Sequence, residues 1–90
     1  MTGPVPARRY DGPELARIAA ASTTVKCECP HHLAEVIMSL TAFEDYSAEC
    51  ESRSLDDAAL HAYLHLITAR ARAMLEQALA RVAAAEGIST

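Results

Sequence analysis

Apolar residues recur at spacings of three and four along most of this chain, the period of helices buried on one side. Leu15, Ile18 and Ala19 make a narrow row within residues 13–21. A longer row, Leu33, Val36/Ile37, Leu40, Phe43, Ser47 and Cys50, runs through residues 30–52, with Glu35, Glu44, Asp45, Glu49 and Glu51 on other faces. A third, Leu60, Leu64, Ile67, Ala71, Met74/Leu75, Ala78 and Val82, runs through residues 55–86.

The residues between these rows act as punctuation. Asp11 can cap the first helix, and Pro13 suits its first turn. Ser22 to Cys29 has no helical period, and Thr23, Thr24 and Val25 favour an extended path. Pro30 then suits a new helix start. The break falls at Arg53-Ser54, with Ser54 as cap and Asp56-Asp57 as first-turn acids. Gly87 is a natural terminator. Gly3, Pro4 and Pro6 mark residues 1–9 as a tail, leaving residues 10–90 as a single helical domain.

The pattern predicts an all-α fold: a short N-terminal helix and a long antiparallel helical hairpin. The long rows are expected to face one another. Two helices cannot cover both rows well, and a chain of 90 residues buries only about 60–65% of its unfolded surface. A homodimer completing a four-helix bundle is the expected remedy.

Composition narrows the function classes. The formal net charge is -4, which argues against direct nucleic-acid binding. Arg8-Arg9 is too short to make a basic patch. No apolar run approaches the ~18 residues of a membrane span, and residues 1–9 do not read as a signal peptide. A cytoplasmic chain without membrane contact is expected. Three cysteines in a reducing compartment point to metal or redox chemistry more than to disulfides.

Cys27-Glu28-Cys29-Pro30-His31-His32 carries the chemical lead. Two thiolates one residue apart can chelate a soft cation, and His31 or His32 can complete the set, most simply for zinc. A helix N-terminus nearby favours thiolate. Glu35 is placed to ligate or to orient a ligating imidazole. Cys29-Pro30 also fits a thiolate ligand to haem. Packing alone is the competing reading of these residues.

His61 and His65 share a helix face and can grip a metal or sense pH. With the hairpin closed near Arg53, His32 pairs with about Leu75 and the His pair with residues 42–46. That sets the two groups roughly 15–20 Å apart within one chain. Cys50 reads as a buried thiol, and Met74 is placed opposite the cysteine cluster. Tyr46 and Tyr63 are expected to cross-pack. No phosphate loop, nucleophile elbow or pair of inward Glu-x-x-His motifs occurs, so no enzymatic activity is expected.

Arg8-Arg9-Tyr10-Asp11 with Glu14 to Ile18, Cys27 to Leu33, and Ala42 to Cys50 together resemble the C-terminal part of bacterial MerR-type transcriptional regulators. The resemblance implies a helical dimerisation and sensor region. The chain leaves no room before Arg8 for that family's winged helix-turn-helix, so DNA binding is not carried over. The functional expectation is a dimeric helical sensor module binding a soft metal. The alternatives are a ligand-free assembly module, with a regulatory protein as possible partner, and a haem- or redox-responsive switch at Cys29.

Overall fold

Asp11 and Glu14 start the first helix by capping each other. The Asp11 carboxylate accepts from the Glu14 amide at 2.8 Å, and the Glu14 carboxylate accepts from the Asp11 amide at 3.1 Å. This reciprocal pair satisfies two of the donors that a helix start leaves open. In the computed structural model of the chain the described residues are 4–21, 28–53 and 56–88, for residues 51–53 the backbone alone. They form α1 (Gly12–Ala21), α2 (Cys29–Arg53) and α3 (Ala58–Ala85), with no strand among them. Cys27, the extended path expected through residues 22–27, and the proposed cap Ser54 lie outside the described residues.

α3 ends as Gly87 predicts. Gly87 has φ 73, Ile88 donates its amide to the Ala83 carbonyl at 2.8 Å, and Gly87 donates to Ala84 at 3.3 Å. This is the Schellman arrangement, in which the residue after the glycine folds back on the helix. Ile88 does so and joins the core.

α2 and α3 pack as the expected antiparallel hairpin, and α1 lies on α2. The core of Tyr10, Leu15, Ile18, Ala19, Ala34, Ile37, Leu79, Ala83 and Ile88 therefore sits where α1, the start of α2 and the end of α3 meet. Among the described residues no helix is long and apolar enough to cross a membrane.

The faces that meet inside the hairpin are only in part the predicted ones, with Ile37 and Ser47 of the α2 row buried as expected. α2 buries Pro30, Ala34, Ile37, Glu44 and Ser47, and α3 buries Ala69, Arg72, Glu76, Leu79 and Ala83. Much of the predicted apolar rows is left outside: Val36 is 46% exposed, Phe43 41%, Leu60 56%, Ile67 37% and Met74 71%. In each helix outward residues lie one position before buried ones, as Val36 precedes Ile37 and Ile67 precedes Thr68. That is a turn of about 100° around the axis. Two physical reasons favour the observed rotation. Ala34, Ala69 and Ala83 allow close approach of the backbones, and Arg72 finds a full set of acceptors on the inner side.

The register also differs from expectation. The Arg72–Glu44 pair joins the middle of α3 to the middle of α2, whereas closing the hairpin at Arg53 had implied Glu44 beside about Tyr63. Met74, two residues past Arg72, therefore lies by the middle of α2 rather than opposite the cysteines, and the His61/His65 pair lies toward the end of α2.

Candidate functional site

Four features could carry function: the start of α2, a buried charged cluster, a groove under the N-terminal arm, and the exposed apolar flank.

At the start of α2, His31 joins two elements. Its Nδ1 lies 3.1 Å from the Ala19 carbonyl oxygen. A carbonyl only accepts, so Nδ1 is the donor in this contact. Nε2 lies 2.8 Å from a Glu35 carboxylate oxygen, bringing together the residue pair that the sequence singled out. His32 points elsewhere, 3.6 Å from Glu28, and meets the His31 ring edge-on at 5.4 Å between centroids. Cys29 is exposed. Among the described residues no three His, Cys, Asp or Glu side chains form a metal-holding group.

His61 and His65 are half-buried, at the other end of the hairpin. Most of the length of α2 separates the two groups, on the order of 30 Å at 1.5 Å per residue, beyond the expected 15–20 Å. Cys50 is half-buried on the same face as Phe43. Tyr46 and Tyr63 are exposed, at 60% and 43%, and Tyr46 stacks on Phe43 at 6.4 Å instead.

The charged cluster was not foreseen. Arg72 is 1% exposed and lies between Glu44 and Glu76, also 1% and 2% exposed. Its Nε and Nη2 donate to the two Glu44 oxygens at 2.8 and 3.1 Å. Its Nη1 donates to Glu76 at 2.8 Å and to the Ala7 carbonyl at 3.0 Å. The last Nη2 proton goes to the Pro6 carbonyl at 2.6 Å. All five guanidinium donors are therefore used. Glu76 turns its other oxygen to the amides of Arg9 and Tyr10, at 2.9 and 3.2 Å. Burial alone pulls the Arg72 pKa down. The hydrogen bonds and charges of Glu44 and Glu76 more than reverse this and hold it above its ordinary value.

Residues 6–10 are fastened across the hairpin by their own backbone, and Arg8 adds an exposed pair with Asp45 at 2.6 Å. Between this arm, the start of α1 and α2 lies an open groove of about 490 Å3, lined by Arg8, Tyr10, Leu15, Met38, Thr41 and Asp45 among others. Its charges are of both signs, and Arg8 and Asp45 already neutralise each other, so it presents no consistent ligand chemistry.

The outward apolar residues of α2 and α3, some exposed and some half-buried, lie on one side of the hairpin. In two antiparallel helices that face each other, the same rotation away from the contact line brings both rows out on the same side. Val36, Leu40 and Phe43 of α2 thus lie on the same side of the hairpin as Leu60, Leu64, Ile67, Ala71 and Met74 of α3. The arm and α1 occupy the opposite side, where Met38, Ala42 and Asp45 line the groove. An apolar strip this long along a small body is the kind of surface that marks an interaction site.

No family model matches the chain, and no curated protein or solved structure matches it.

Proposed function

We propose that this chain is a helical assembly module whose working surface is the apolar flank of the α2–α3 hairpin. One observation carries the reading: Val36, Phe43, Leu60, Ile67 and Met74 of the two long helices are exposed on one side, while the hairpin closes through Ile37, Leu79, alanines and a buried ion cluster. Apolar residues at i, i+3, i+4 and i+7 are how one helical surface docks on another. The dimerisation role implied by the MerR-type resemblance agrees with this.

The test separates interface from core. Phe43→Glu/Ile67→Glu is expected to keep its helical circular dichroism and a cooperative unfolding transition. Ile37→Glu, at a position 0% exposed, is expected to unfold the chain. If the flank variant unfolded as completely as the core variant, the rows would belong to the folding core and the proposal would fail.

A second reading has its own observation. A metal-bound imidazole commonly gives its other N–H to a carbonyl or carboxylate, and His31 Nδ1 meets the Ala19 carbonyl in this way. Cys27, Cys29, His31 and His32 would then hold a soft metal, zinc in the simplest case, after His31 Nε2 leaves Glu35. The module would be a sensor in which the metal fixes residues 27–32 against the start of α2.

A further inference from the structure

We infer that Glu44, Arg72 and Glu76 form a binding site for extended peptide main chain, which residues 6–9 fill within the molecule and which a segment of another polypeptide fills when the arm lifts. The arm lies on the side of the hairpin away from the apolar flank, so this site and the flank can act independently.

The grip is on main chain. Arg72 donates to the Pro6 carbonyl at 2.6 Å and to the Ala7 carbonyl at 3.0 Å, and Glu76 accepts from the Arg9 amide at 2.9 Å. The three side chains of the site are 1–2% exposed, and Glu44 holds the guanidinium through both its oxygens. Donors and acceptor therefore stand in place before a strand arrives. Side chains of the arm take little part. Ala7, Arg8 and Arg9 are exposed and Pro6 is half-buried, and an exposed pair such as Arg8–Asp45 contributes little. Nothing in such a site distinguishes this arm from another strand.

The arm is held lightly enough to leave. Residues 6–9 add no side chain to the apolar core. Only hydrogen bonds that water can replace oppose the conformational freedom regained on release. Tyr10 does belong to the core and Asp11 caps α1, so release stops at residue 9 and the helices stay packed. It uncovers guanidinium donors and a carboxylate oxygen at a spacing set by main chain.

The class of ligand follows from that spacing. A ligand must offer two consecutive carbonyls and, two residues after the second, a free amide. A helical segment has used these groups internally, and a proline at the amide position has no N–H to give. The partner is an extended segment without proline at that position, held by main-chain hydrogen bonds as when a strand adds to a sheet edge.

Hydrogen exchange and peptide titration on the full chain test this. In the wild type the Arg9 amide is expected to exchange by local opening, about a hundredfold faster than the Leu79 amide in the core. Arg9→Pro removes that amide and leaves the three side chains of the site in place. This variant is expected to bind a C-terminally amidated peptide of residues 4–9 about tenfold more tightly than wild type, whose own arm competes. Methylating the peptide nitrogen at Arg9 is expected to weaken binding about tenfold, while Ala7→Ser/Arg8→Ser in the peptide changes it by no more than about twofold. Exchange of the Arg9 amide only through global unfolding would overturn the inference without need of a variant. Equal binding of the methylated peptide would overturn it as well, as would no binding at millimolar peptide to an Arg9→Pro chain that keeps its helical circular dichroism.

Discussion

Arg72 holds more of the molecule together than any other side chain described. It binds α2 through Glu44, its own helix through Glu76, and the arm through two carbonyls. A buried cation is tolerable when every donor is used and the neighbouring charges are opposite, and its removal leaves those neighbours buried and unpaired. Arg72→Met is expected to lower unfolding free energy by ~3–5 kcal/mol, measured by urea denaturation. Trypsin should also cut faster after Arg8 and Arg9, because the arm loses two of its anchors. A loss under about 1 kcal/mol, the usual scale of an exposed pair, would show that the cluster is wet and weak. The sign of the pH effect follows from the raised pKa. The Arg72 contribution is fully present below the ordinary guanidinium range and is lost only above it, so alkaline titration to moderate pH should leave it intact. None of this was legible in the pattern. Charged residues are almost never fully buried unless paired, and Arg72 meets Glu44 across 28 positions, where no local spacing rule connects them.

Helix boundaries were the legible part. Residues 13–21, 30–52 and 55–86 were expected and Gly12–Ala21, Cys29–Arg53 and Ala58–Ala85 are found, because Asp11, Pro13, Pro30 and Gly87 act through local stereochemistry alone. Gly87 gives a prediction at this scale. Its φ of 73 disfavours any Cβ, and no neighbouring atom blocks one, so Gly87→Ala should cost ~1–2 kcal/mol through backbone strain. Thermal unfolding would measure this, and an unchanged midpoint would mean that the Ile88 fold-back is dispensable. What the elements bury was less legible. An apolar row says that a helix has a preferred face, without saying whether the next helix of the chain or another molecule covers it. Here Val36, Phe43, Ile67 and Met74 lost the inner position to Ala34, Ala69 and a satisfied ion cluster.

At the level of the whole molecule, the register decides which residues can cooperate. At the start of α2, His31 meets Glu35. The His61/His65 pair sits near the start of α3, at the end of the hairpin away from the start of α2. Zinc, if held at Cys27, Cys29, His31 and His32, should therefore be bound independently of the far pair. Cys27→Ser or Cys29→Ser is expected to abolish stoichiometric zinc in the purified protein, while His61→Ala/His65→Ala leaves it unchanged; metal analysis reads both. Retention of zinc in the cysteine variants would remove the sensor reading.

The arm is gripped in an unusual way: from Pro6 to Tyr10 the buried cluster touches only carbonyls and amides. Such a grip does not read side chains at positions 6 to 9. Substitutions there should accumulate in descendants of this protein with little penalty, provided they leave the Arg9 amide free to donate, while Arg72 and Glu76 tolerate almost none. A synthetic strand of unrelated composition, ending in an aromatic residue to fill the place of Tyr10, should be accepted in the same seat.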